Sequence, residues 1–274
     1  MEVKRLGRTG YARRTRELFG GVLASKKGDG SLGYEAIADQ LRSRIESGEL
    51  APGDKVPGEK ELIATYKVSR DTAWKALQIL RDEGLTESRQ GAPTRVRKFQ
   101  RIVRPANKRL SKEVWGSGKS MWTADVIDGE PRVADPQVRR SVADSRVAAL
   151  LGLERGDGVV IRIRRYDLGE KPVMCAMSYI PADLADGTPI AETDTGPGGI
   201  YKRLEEIGHG PTLFREEVRS RMPSKSEKEL LKIERGTPVI EIRRYAAEES
   251  GRIVEVNEMV LDSSNYVLEY VIPS

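Results

Sequence analysis

The stretch "VSRDTAWKALQILRDEGL", residues 68–85, decides how the chain is read. Ala73, Ala76, Leu77 and Leu80 recur at helical spacing as one apolar stripe, while Arg70, Asp71, Lys75, Gln78 and Arg81 fall on other faces. Ser69 stands where an N-cap belongs, its hydroxyl able to accept from the amides that a helix start leaves unpaired, and Gly84 closes the last turn. Such a helix docks by its stripe and leaves its polar face and N-terminal residues for a partner.

The flanking residues say what kind of unit this is. Tyr34, Ile37, Ala38, Leu41 and Ile45 make a helical stripe stopped by Gly48. Pro52, Gly53, Pro57 and Gly58 then break the chain, and Leu62, Ile63 and Tyr66 give a short helix beginning near Glu59. Helix, short helix, a tight turn through "KVS" and the opening helix form a helix-turn-helix. "LTESRQGAPTRVRKF", residues 85–99, reads as two short strands about a turn at Gly91, with Arg89, Gln90, Arg95, Arg97 and Lys98 along or beside it. A basic hairpin after the recognition helix makes a winged helix-turn-helix. Trp74 is expected to pack against the wing or a neighbouring domain.

Composition places this unit in a larger frame. With 274 residues, two domains with separate cores are expected. Residues 1–112 hold 25 Lys/Arg against 14 Asp/Glu, a net of +11, and residues 113–274 hold 22 against 28, a net of −6. A basic end joined to an acidic one suits a polyanion at one and something else at the other. The domains expected are a basic, flexible N-terminal arm over 1–30, the winged helix-turn-helix over 31–98, a basic linker over 99–112 and a second domain over 113–274.

No apolar run approaches the roughly 20 residues that span a bilayer, and the basic N-terminus is not followed by the apolar run of a signal peptide, so a cytoplasmic protein without membrane contact is expected. Cys175 and His209 are the only cysteine and the only histidine. Disulfide frameworks, Cys/His zinc sites and histidine-based triads are thereby excluded, and neither enzyme activity, metal nor cofactor is expected. Cys175, inside "PVMCAMSYIP", is read as a core residue, and His209, inside "GHGP", as part of a turn.

The acidic half is organised by a repeat. "LLGLERGDGVVIRIRRYDLGEKPVMCAMSYIP" begins at Leu150 and "LLKIERGTPVIEIRRYAAEESGRIVEVNEMVLD" at Leu230. Each copy reads as a helix end, a turn at Gly156 or Gly236, a strand through "IRRY", a hairpin turn and a second strand. Arg164 and Arg244 are expected at matching places. Two copies are too few for a solenoid, so one sheet of two pseudo-symmetric halves is expected, largely antiparallel, with helices at its face or ends: an α+β fold. Between the copies "GGIYKRLEEIG" reads as a short helix.

Residues 34–96 resemble the N-terminal domain of the GntR family of bacterial transcription regulators, through the frame "I..G.L.PG..VP.E.EL...Y.VSR.T...AL..L..EGL". The resemblance implies DNA contacts from Lys60, Ser69, Arg70 and Thr72 and from Gly91 at the wing tip; Lys75, Arg89, Gln90 and Thr94 complete the expected surface. Arg70 can offer a bidentate fork to guanine O6 and N7, and hydroxyls and amides at a helix start suit phosphate. Gly58 and Lys60 stand where the family usually has Ser and Arg, and Pro93 where the wing has a second Gly.

The repeat, "GGIYKRLEE" and "VEVNEMVLDSSNYVLEY" are similar to the UTRA domain of the HutC subfamily, which has a chorismate-lyase-like fold. The resemblance implies a pocket for a small polar or anionic effector, lined by Arg162, Arg164, Tyr201 and Glu255. It also implies a homodimer that reads an inverted-repeat operator in double-stranded DNA, most commonly as a repressor. Two arginines two apart on a strand face one side, so both can clamp an anion. Ala176, Gly199 and Leu261 depart from the subfamily. They motivate a rival reading, a ligand-independent repressor of a plasmid or mobile-element transfer or replication function with a degenerate pocket.

Overall fold

A computed structural model describes residues 32–87, 92–98, 102–105, 109–116 and 131–272. The expected arm over 1–30, the wing-tip residues Arg89, Gln90 and Gly91, and the stretch "SMWTADVIDG" lie outside the described residues. The chain divides into two compact units, residues 1–99 together with Glu234–Thr237, and residues 100–233 with 238–274.

In the first unit, α1 spans Tyr34–Glu46, α2 Glu59–Tyr66 and α3 Arg70–Asp82. The stripes read from the sequence close on one another: Ile37, Ala38 and Leu41 of α1, Leu62 of α2, and Ala73, Ala76 and Leu80 of α3 are all buried in one cluster. Arg42 on α1 grips Glu83, just beyond α3, through two nitrogens at 2.8 and 2.6 Å, fixing the crossing of the two helices. Gly58, at the N-cap of α2, lacks the hydroxyl of a full capping box, yet half survives, because Glu61 Oε2 accepts from the Gly58 N–H at 2.7 Å. Strands β1 (Thr86–Glu87) and β2 (Arg95–Val96) pair antiparallel as the base of the wing.

The second unit begins with β3 (Ile102–Pro105), inside the stretch expected as linker, and α4 (Lys112–Gly116). There follow β4 (Pro131–Val142), α5 (Ser145–Leu151), β5 (Gly158–Leu168), β6 (Lys171–Pro181), α6 (Ala182–Ala185) and α7 (Gly199–Glu206). The last group is β7 (Leu213–Arg221), α8 (Lys225–Leu231), β8 (Val239–Ala247), β9 (Ile253–Asp262) and β10 (Tyr266–Glu269). Strands β4 to β9 form one antiparallel sheet in the order β4-β5-β6-β9-β8-β7, while β10 pairs in parallel with β3. That order is two copies of strand, helix, hairpin joined at β6 and β9, as the repeat required. Each copy's helix is capped at its start, α5 by Asp144, which accepts from the Val147 N–H at 2.7 Å, and α8 by the reciprocal pair Ser224 and Glu227.

Strand alternation gives the sheet two buried faces. On one, α5 and α8 cover Val159, Tyr179, Val256 and Val239. Cys175 packs at the edge of the α8 cluster, and burial pushes its thiol up to about 11, the behaviour of a core cysteine. On the other face, α4, α6 and α7 cover Val160, Ile180 and Ala246, and β3 and β10 cover Ala176, Ile242 and Met259. Between these two apolar clusters lies the pocket described below.

Candidate functional sites

The start of α3 is built as the sequence requires. Ser69 Oγ accepts from the Thr72 N–H at 3.2 Å and lies 2.9 Å from the Thr72 hydroxyl. The Arg70 side chain is 84% exposed and, among the described residues, tethered by Glu59 at 3.0 Å. Lys75, one turn on, pairs with Asp71 at 2.7 Å. Pairs this exposed are worth little, so both cations can exchange a carboxylate for a phosphate or a base edge at small cost. Lys60 is exposed on α2 and Thr94 part-buried beside β2, its carbonyl accepting from the Val56 N–H at 2.9 Å. Trp74 is 48% exposed. The surface therefore offers a helix N-terminus, two hydroxyls and an extended guanidinium, donors that suit phosphate and guanine.

The second unit holds a cavity of about 390 Å³ lined by Arg162, Arg164, Tyr201 and Glu255 together with Arg109, Arg244, Asn257 and the loop 193–199. All four residues expected there line it, and the Arg162 guanidinium is engaged by backbone carbonyls. It donates to the carbonyls of Ile190, Glu192 and Thr193, at 2.6 Å and 3.0 Å for the first and last, and so braces the loop that walls the cavity. Burial first, and then the charge of Arg164, lower its pKa to about 10, which leaves it a cation at neutral pH. Arg164 donates to Ser178, with Nε unpartnered.

Tyr201 is fully buried on α7 and donates to Glu255 Oε2 at 2.6 Å. Burial and the Glu255 charge, against the pull of Arg244, hold its phenol well above the usual value, so it stays a donor. Its ring is held edge-on by Trp115, centroids 6.2 Å apart, and tilted on Phe214 at 5.0 Å. The turn before α7 needs glycine at 198: φ is +84°, and a Cβ there would stand 2.8 Å from the Trp115 carbonyl oxygen.

Arg244 is the residue the sequence reading left out of the site. Its guanidinium is buried over the Tyr201 ring, 5.4 Å from the centroid, with Nη1 4.0 Å from Glu216 and Nη2 3.9 Å from Glu255. Burial alone would lower its pKa, but the fields of Tyr201, Glu255 and Glu216 outweigh it and raise it, so the cation persists. Its Nε and Nη1 and the Asn257 Oδ1 have no hydrogen-bond partner. The two copies keep one spacing from Leu150 and Leu230 through Gly156 and Gly236, and it carries Arg164 onto Arg244, as expected. Across the sheet, Arg162 stands opposite Ser178, Ser178 opposite Asn257 and Asn257 opposite Arg244. Four guanidiniums around two carboxylates, Glu255 and Asp194, leave a net positive cavity, and with the unmade donors of Arg164 and Arg244 it suits a small anion.

Comparison with known proteins agrees with both halves. Residues 33–96 match the family described as bacterial regulatory proteins, gntR family, and residues 130–267 match the UTRA domain. An uncharacterised HTH-type transcriptional regulator of Streptomyces coelicolor is 30% identical over 230 residues, covering 81% of this chain and 86% of that one. The HTH-type transcriptional repressor NagR of Bacillus subtilis is 26% identical over 236 residues, 85% and 91% of the two chains. A crystal structure described as a GntR-family transcriptional regulator superposes with a TM-score of 0.61 at 25% identity, covering 88% of this chain and 97% of the other. A winged helix-turn-helix followed by a UTRA fold, matched in sequence and in structure, places this chain in the gntR family of bacterial transcription regulators, in its HutC-type, UTRA-bearing architecture.

Proposed function

We propose that this regulator is a cytoplasmic homodimer that represses transcription from an inverted-repeat operator and responds to a small anionic metabolite held in the UTRA pocket. Each subunit presents one α3 to a major groove, with Arg70 reading a base and Lys60, Ser69, Thr72 and Lys75 placing the helix on the phosphates; Arg89, Gln90, Gly91 and Thr94 serve the wing. In the pocket, Arg164 and Arg244 hold the anion, Tyr201 and Glu255 set its orientation, and Arg162 braces the wall. Repression is the sign favoured by the likeness to NagR, itself a transcriptional repressor.

The observation that carries ligand control, rather than a degenerate pocket, is the set of buried donors on Arg164 and Arg244 without partners. Buried donors left unmade cost stability, and a ligand that satisfies them recovers it. Of the departures that motivated the rival, Leu261 lies in the apolar core beside β3 and β10, away from the cavity lining, while Ala176 and Gly199 do line it and widen it. Selection of genomic fragments by the purified protein at about 150 mM salt, where non-specific phosphate binding is weakened, tests the reading. Enrichment of one inverted repeat is expected; recovery of fragments without a shared sequence would sink it.

A further inference from the structure

The six-stranded sheet carries a row of polar side chains from one edge towards the other. Directly opposed positions run Arg162, Ser178, Asn257, Arg244 and Glu216 across β5, β6, β9, β8 and β7, and opposed residues project from the same face. The row separates the two apolar clusters of that face. At its β7 end it leaves the sheet: Glu216 accepts from Arg104 Nη1 at 2.9 Å and from Nη2 as well, and Arg104 is wholly buried on β3. Burial pushes the Glu216 pKa up, but the hydrogen bond and charge of Arg104, with help from Arg244, bring it below its usual value.

We infer that Glu216 and Arg104 are positioning residues for the pocket guanidinium of Arg244, and that an anion taken up by Arg244 is transmitted through Glu216 to Arg104 on β3. The inference rests on the reading of the cavity as an anion site. Glu216 serves two cations unequally, with a two-point hydrogen bond to Arg104 and only a 4.0 Å approach to Arg244. Arg244 in turn stands about equally far from Glu216 and Glu255, hydrogen-bonded to neither, a geometry that a third acceptor can tip. An anion that captures the free Nε and Nη1 draws Arg244 towards the cavity and leaves Glu216 to Arg104 alone. Strand β3 has four residues and pairs with β10, itself only four residues long, so this ionic anchor joins the apolar packing of Ile102 in holding it to the main sheet. Arg104 also follows Val96, the last residue of the wing strand, by only 104 − 96 = 8 positions. A change at β3 is a change in the tether of the DNA-reading unit.

Hydrogen exchange on the full chain, with inorganic phosphate as the probe, reads both ends of the relay. In the wild type, phosphate is expected to slow the amides of 193–201 at the cavity wall and, by at least about fivefold, those of 102–105 on β3, the lower end of ordinary allosteric coupling. In Glu216→Gln the cavity amides still respond, at equal or lower phosphate concentration because a competing carboxylate is gone, while 102–105 no longer do. A merely structural role would weaken both responses together. Since the single variant strands Arg104, the paired R104M/E216Q chain removes both charges and is expected to behave in the same way, and the wild-type comparison is a test on its own. Slowing at 193–201 without any at 102–105, or equal slowing of 102–105 in wild type and variants, overturns the relay alone. No response at either segment of the wild type overturns the anion-site reading and the relay with it.

Discussion

Replacing Arg244 by Met removes one cation from between two carboxylates and leaves the volume nearly filled. The nearest approaches are 4.0 Å to Glu216 and 3.9 Å to Glu255. At an effective dielectric of about 20, unit charges 4 Å apart attract by about 4 kcal/mol, so the two contacts are worth roughly 8 kcal/mol gross. Taking the guanidinium out of water costs several kcal/mol of that, and the variant no longer bears this cost. Glu216 keeps Arg104, but Glu255 is left with the Tyr201 hydroxyl at 2.6 Å as its close partner. Breaking a buried pair by removing one member costs about 3–5 kcal/mol, and that is the loss expected for the second unit. Two-unit chains do not unfold in one step, so the assay is the opening free energy of the amides of 239–262, taken from native-state hydrogen exchange. A loss below about 1 kcal/mol would refute the reasoning, because it would mean that water screens the polar row and that its charges are not a buried network.

Other outcomes follow from the same geometry. Arg70→Ala is expected to cost about 1–3 kcal/mol of operator affinity and to relax preference at one base pair while binding to random DNA hardly changes; equal losses on both DNAs would reduce Arg70 to a phosphate contact. Leu80→Ala, at a fully buried position of α3, should cost the first unit about 2–5 kcal/mol and operator binding with it, as read by exchange of the α1 and α3 amides. Arg164→Ala should abolish the effect of the metabolite and leave operator affinity nearly intact in a binding titration. Two hydrogen bonds from Arg221, at 2.7 and 2.6 Å, and the Ser224 cap hold the Glu227 carboxyl down to about 2, against a usual value near 4.5. A depressed folded-state pKa stabilises above the unfolded value and loses that contribution as pH falls, so the second unit should weaken between about pH 5 and pH 2, and Glu227→Gln should flatten that part of the profile.

Much of the fold was legible because its signals are local. The stripe through Ala73, Ala76 and Leu80, the cap at Ser69 and the breaks at 52–58 are properties of a few neighbouring residues, and they fixed the helix-turn-helix within a residue or so of each end. The repeat fixed the pseudo-symmetric sheet for the same reason. What escaped was set by distant partners. That Arg244 shares one cross-strand row with Asn257, Ser178 and Arg162 is decided by where β6 and β9 lie against each other. Whether Arg162 grips a ligand or a loop depends on the fold of 190–193, which its own strand does not encode. Arg104 carried no sign of its importance in a stretch that reads as basic linker. Buried arginine is rare, and only the packing of β3 against β7 shows it to be paired.

Operator affinity measured by titration against a panel of phosphorylated and carboxylated metabolites, with the full chain and a fragment recovered by genomic selection, tests the central claim most directly. At least one anion is expected to change the dissociation constant by about 5- to 150-fold, with neutral analogues of the same size inert. A dissociation constant that stays flat across the panel, on an operator bound with clear sequence preference, would contradict control through the cationic pocket and leave a constitutive repressor.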